Sequence, residues 1–160
     1  MKSVLAVLLV VSCAIAVVAA DQPIVTKPTD DKLIVFPGLP ECSKGAAVKG
    51  DPMNGAAVIY LKGTAGCNIP MHWHTATEDL TIISGSGTLK MKDAKDATVS
   101  SGMYVHLPAK HPHALKCASA CTLYIFTDGA FDIHYVDAAG KEIPVEQALG
   151  PAKKPAAKKK

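Results

Sequence analysis

Arginine is missing from this sequence: all 17 basic residues are lysine. Guanidinium is the planar fork that grips a carboxylate or phosphate at two points, so sites depending on such a clamp are excluded. Also missing are any long segment with helical periodicity, any repeat of a whole supersecondary unit, and any Cys-x-x-Cys pair at zinc-finger spacing. Aromatic residues make up only 5% of the chain, and 160 residues suit one domain, which excludes a two-domain enzyme. A basic face for nucleic acid is unsupported too. Lys2 and the five tail lysines (Lys153, Lys154, Lys158, Lys159, Lys160) supply the positive total, and without them 11 basic residues stand against 14 acidic ones, a body near −3.

What is present begins with an apolar run from Val4 to Ala20, led by Lys2 and broken only by Ser12 and Cys13. Val18-Ala19-Ala20 before Asp21 offers the small-residue cleavage pattern of a secretory signal, so a signal peptide is expected over 1–20, and a secreted or periplasmic protein with it. A retained membrane anchor is the alternative, against which stand the short run and the lack of a basic stop after it. A lipoprotein box at Val10 to Cys13 sits too early, and the chain stays apolar beyond it. An extended N-terminal arm rich in Pro, Thr and Asp follows over 21–31. From Pro151 the chain holds only Pro, Ala and Lys, a composition that buries no core, so 151–160 is expected as a disordered tail, either merely solvated or touching anionic envelope components.

Four cysteines follow the cleavage site: Cys42, Cys67, Cys117 and Cys121. Export favours disulfides, and four cysteines allow two bridges in three connectivities. Cys117 and Cys121 flank three residues, a length suited to a hairpin loop, which would leave Cys42 with Cys67. Free buried thiols are the competing reading.

Residues 32–150 read as a strand-rich domain. Candidate strands are 33–36, 56–62, 80–83, 88–92, 103–107, 123–127 and 131–136, separated by turn formers such as Pro37-Gly38, Asn54-Gly55, Gly85-Ser86-Gly87 and Asp128-Gly129. Short strands at this spacing indicate an all-β sandwich or barrel. Residues 142–149 are expected to make one turn of helix.

His72 and His74 are two apart, so in a strand they project from one face while Trp73 points to the other, toward core or a subunit interface. If Thr75-Ala76-Thr77 turns a hairpin, Glu78 becomes the cross-strand neighbour of His74. Further on, His111 and His113 bring more imidazole. Two histidines, a carboxylate and a fourth ligand would complete an N₃O set for one divalent transition metal, with Fe, Mn, Zn, Ni and Cu all compatible.

These spacings resemble the cupin superfamily. Its first motif reads G, five residues, H-x-H, three or four residues, E, six residues, G, and Gly66, His72, His74, Glu78 and Gly85 fill every defining position. Its second reads G, five residues, P-x-G, two residues, H, three residues, N. Gly102, Pro108 and His113 agree, whereas Lys110 replaces the glycine and Cys117 the asparagine. The resemblance implies a double-stranded β-helix, the jelly-roll cupin barrel, with His72, His74, Glu78 and His113 holding one metal inside. The replaced glycine normally sits at positive φ, where a side-chain residue costs ~1 kcal/mol. His111 is then a rim residue, while His106 and His134 either line the cavity or serve as structural histidines. Lys110 either draws anions to the barrel mouth or is a solvated surface residue.

Three imidazoles and a carboxylate leave two octahedral positions free, which favours an oxygenase acting on a small oxygen-ligating molecule. Oxalate-type chemistry and phosphosugar isomerisation fit poorly without arginine. A non-enzymatic module that binds or senses a small ligand or the metal is the competing class, and an empty structural barrel the third. A homodimer is expected, because so strand-rich a chain must cover its sheet edges.

Overall fold

The computed structural model describes residues 23–150, so the expected signal peptide over 1–20 and the tail over 151–160 lie outside the described residues. Ten strands run β1 (Ser43–Gly50), β2 (Ala57–Gly63), β3 (Asn68–Trp73), β4 (Glu78–Ser84), β5 (Ser86–Met91), β6 (Ala97–Ser100), β7 (Tyr104–Leu107), β8 (His113–Cys117), β9 (Cys121–Thr127) and β10 (His134–Tyr135). A short helix, α1 (Val145–Leu149), follows them, and a 3₁₀ turn at Asp30–Lys32 precedes them. The strands form two antiparallel five-stranded sheets, in the orders β1-β2-β9-β4-β7 and β10-β3-β8-β5-β6. From β2 onward the chain repeatedly crosses from one sheet to the other, which is the jelly-roll topology expected from the sequence.

Strict alternation explains the packing. In β2 and β9, and in β4 from Glu78 to Ile82, every second residue is buried, so Ile59 and Leu61, Leu80 and Ile82, and Leu123 and Ile125 share one inner face. Ile69, Leu89, Leu115 and Tyr135 of the opposite sheet close the same core. Gly85 makes the sharp passage from β4 to β5. It has φ +80°, and a Cβ there would lie 2.1 Å from the carbonyl oxygen of Ala120, so no other residue fits.

Cys42 pairs with Cys67 and Cys117 with Cys121, at Cα separations of 5.5 and 5.9 Å. The expected hairpin across Cys117 and Cys121 is corrected: β8 and β9 lie in different sheets, so this bridge staples one sheet to the other. Gly63 lies against it, since a Cβ there would meet Cys117 Sγ at 2.8 Å and Cys121 Sγ at 3.2 Å. Along β8 and β9 the cysteines occupy one end of the barrel, while His113 and Thr127 occupy the other.

Other expectations shift. Residues 33–36 give only an isolated bridge, Ile34 with Gly45, because Phe36 turns into the core instead of extending a strand. Residues 131–136 keep only His134–Tyr135 as strand. Strands β1, β3, β6 and β8 were not among the candidate strands, although His72 to His74 were considered in a strand, and the helix over 142–149 shortens to Val145–Leu149. Among the described residues no helix is long and apolar enough to cross a membrane.

Candidate metal centre

His72 sits in β3 directly opposite His113 in β8, in the sheet of β10-β3-β8-β5-β6. Glu78 opens β4 in the other sheet, between Leu107 of β7 and Thr127 of β9. His74 lies just after β3, in the segment that crosses between them. The hairpin expected between His74 and Glu78 therefore does not exist. The two side chains meet because the chain changes sheets, which brings ligands from both walls to the same interior point.

All four side chains are buried, with His72 3%, His74 4%, Glu78 5% and His113 3% exposed. Each imidazole has its Nδ1 against a backbone carbonyl: His72 against Pro70 at 2.7 Å, His113 against His111 at 2.9 Å, and His74 against Asp132. A carbonyl only accepts, so the proton sits on Nδ1 and each Nε2 presents a lone pair. The three Nε2 atoms aim at one another and at Glu78. His72 and His74 approach to 3.1 Å, and Glu78 Oε2 lies 3.4 Å from His74 Nε2 and 3.1 Å from His113 Nε2. Lone pairs facing one another at such distances, with a carboxylate beside them, repel unless a cation lies among them. This donor set fits a borderline divalent ion, and the ligand atoms of His72, His74 and His113 lie within 4.8 Å of one another.

Burial pushes the Glu78 carboxyl up, yet attraction to the surrounding imidazoles when they carry positive charge, His74 first, together with a hydrogen bond from His113, outweighs that and holds it at about 2. Burial also drives His72 well below the ordinary imidazole value, reinforced by repulsion from His113 and His74, so it is a neutral donor at neutral pH. Packing fixes the rings. Phe131 stacks on His74 at 4.9 Å between centroids, and Tyr135 backs His72 at 5.9 Å while its hydroxyl donates to Gly38 at 2.8 Å.

The free space beside these groups is about 20 Å³, room for one water-sized occupant. Leu39, Leu61, Ile69, Leu80, Leu115, Leu123, Ile125 and Phe131 line it, and among the described residues its titratable groups are His72, His74, Glu78 and His113.

The remaining histidines lie elsewhere. His106 is exposed on the outer face of β7, where its Nδ1 is 2.7 Å from Asp79 Oδ1, which also accepts from the Tyr104 hydroxyl at 2.7 Å. His134 stacks on Trp73 with centroids 3.9 Å apart and Nε2 3.2 Å from Asp132 Oδ2. Neither lines the cavity. Trp73 faces away from the ligands as expected. Lys110 adopts φ 61°, and its N–H donates to the His74 carbonyl at 2.8 Å, so the turn where the motif has glycine keeps its shape. The carbonyls of Pro70, His111 and Asp132 were not legible as site groups. The first two stand two residues before a ligand in sequence, a usable signal, whereas Asp132 is 58 residues from His74.

Residues 61–127, spanning all four candidate ligands, match the Cupin domain family. The barrel has the cupin fold. Among solved structures, this cupin barrel is similar to DMSP lyase DddQ from Ruegeria pomeroyi, with a TM-score of 0.52 and 19% identity over 64% of this chain and 55% of that one. It is also similar to a chain from the structures of the DMSP lyases RdDddP and RnDddQII, with a TM-score of 0.53 and 19% identity over 59% and 53%. Salicylate 1,2-dioxygenase from Pseudoaminobacter salicylatoxidans, as its W104Y mutant, matches with a TM-score of 0.49 and 16% identity over 54% of this chain and 27% of its own. The chain thus spans from about a quarter to about half of these proteins. No curated protein matches the sequence.

Proposed function

We propose that this protein is an exported metal-binding cupin in which His72, His74, Glu78 and His113 hold one divalent transition-metal ion. We further propose that it acts as a metal-dependent oxidoreductase of dioxygenase type on a small oxygen-ligating organic molecule. The carrying observation is the convergence of three Nε2 lone pairs and one carboxylate, from both sheets, on a single buried point. A redox-active ion there would supply Lewis acidity and a path for electrons between a substrate and O₂. The protein's own part is to fix imidazole tautomers through Pro70, His111 and Asp132, and to keep bulk water out with an aliphatic wall. With no separate acid or base along that wall among the described residues, the reading favours chemistry at the ion over side-chain acid–base hydrolysis. A second reading, a non-enzymatic module that binds the metal or a small ligand, is favoured by the small free volume, which admits a phenol-sized molecule only if the wall opens.

The same proposal includes a homodimer and, for the lysine tail, contact with anionic envelope components. Metal analysis of protein isolated from its natural compartment should find about one equivalent, lost in His74→Ala and Glu78→Ala. Full occupancy in either variant overturns the ligand set. An oxygen electrode with phenolic and enolic compounds then decides the activity. Uptake by the iron-loaded protein that vanishes with zinc and in His113→Ala supports the oxidoreductase. Ligand binding without uptake under every metal leaves the binding module.

A further inference from the structure

Thr127 ends β9 directly opposite Glu78 of β4 in the antiparallel register. Both side chains face inward and are buried, 7% and 5% exposed. Among the described residues, Thr127 Oγ1 is the one buried side-chain oxygen or nitrogen without a hydrogen-bond partner. Leaving a buried hydroxyl unpaired is destabilising, and valine would fill the same volume without that penalty. A use for the hydroxyl therefore has to be sought in its surroundings. Its opposite number, Glu78, turns the single oxygen Oε2 toward both His74 and His113.

We infer that Thr127 is a positioning residue for Glu78, its hydroxyl donating to the other carboxylate oxygen and fixing the carboxylate plane against the imidazoles. Directly opposed residues on one sheet face have Cβ atoms about 4.5–5.5 Å apart, a gap that a threonine hydroxyl and a glutamate carboxylate close by side-chain rotation. A carboxylate held this way cannot swing when an ion draws on Oε2. The inference rests on the metal-binding reading, and loss of such an outer partner typically lowers metal affinity about 10–100-fold.

The test compares wild type, Thr127→Val, Thr127→Ala and Thr127→Ser. It measures cobalt(II) affinity against a competing chelator, the visible absorption bands of the cobalt protein, and the melting temperature after metal removal. Thr127→Val should melt no lower than wild type without metal, yet bind cobalt about tenfold more weakly, with displaced bands. Thr127→Ala should weaken binding likewise, and so carries the test if the valine protein does not fold. Thr127→Ser should keep both affinity and spectrum. Unchanged affinity and spectrum in the valine or alanine protein overturn the role of Thr127 while leaving the metal site standing. A wild-type protein that takes up neither cobalt nor any other first-row ion overturns both.

Discussion

The two disulfides differ sixfold in the chain they enclose, and that difference should be measurable as stability. Cys42–Cys67 spans a sequence separation of 25 and Cys117–Cys121 one of 4. A cross-link restricts the unfolded chain more when its loop is longer, and the loop-entropy relation gives about 3.5 kcal/mol for the first and about 2 kcal/mol for the second. Packing works against this order, because Cys117 and Cys121 are both fully buried whereas Cys42 is only partly so. A larger loss on removing Cys42–Cys67 can then be assigned to the loop. Urea unfolding of Cys42→Ala/Cys67→Ala and of Cys117→Ala/Cys121→Ala, each compared at constant slope, measures both terms. At ~3 °C per kcal/mol for a domain of this size, the melting temperatures should fall by roughly 10 and 6 °C. Equal losses, or a greater loss from the short loop, would refute the entropic argument and place the stabilisation in the packing around Gly63.

Lys110→Gly relieves a residue held at φ 61° and should raise stability by at most about 0.5 kcal/mol, after allowing for the greater freedom of glycine in the unfolded chain; clearly lower stability would show that the lysine side chain contributes there. Gly85→Ala drives a methyl to 2.1 Å from a backbone oxygen and should cost at least about 3 kcal/mol, visible as poor soluble yield or a large drop in urea midpoint. After metal removal, stability should fall with pH. His72 is held neutral when folded but takes up a proton when unfolded below its ordinary value of 6.5, and Glu78, at about 2, adds a further loss as pH falls from 4.5. Melting curves from about pH 7 to pH 5 should slope downward for wild type and flatten in His72→Asn. Sedimentation velocity at tens of micromolar, a working range for weak interfaces, should find a dimer.

Much of the site was legible because its residues carry local spacing: His72-x-His74, then Glu78, and His113 among turn formers. Their meeting point was legible only through the resemblance, since the direct reading joined His74 to Glu78 by a hairpin. Alternation within one segment gives a side chain's face but not the sheet to which the next strand belongs, and here every connection except β1 to β2 and β5 to β6 changes sheets. The missed strands have physical causes. Ser43–Gly50 is rich in Gly, Ala and Lys, weak strand formers that pair because β2 offers a long regular edge. Residues 113–117 read as a ligand segment, yet they form a central strand between β3 and β5. Phe131 stacks on a ligand without any sequence cue.

The chain contains one tryptophan, and it sits between two candidate ligands with its indole stacked at 4° on the imidazole of His134. The indole shares its backbone with His72 and His74, while Asp132 holds His74 by its carbonyl and His134 by its carboxylate. The emission of this protein therefore comes with a single, unmixed tryptophan source wired to the interior site from two sides. Filling that site with copper(II) should quench it, zinc should shift it without quenching, and a stopped-flow fluorimeter can time the arrival of the ion with no dye or label added.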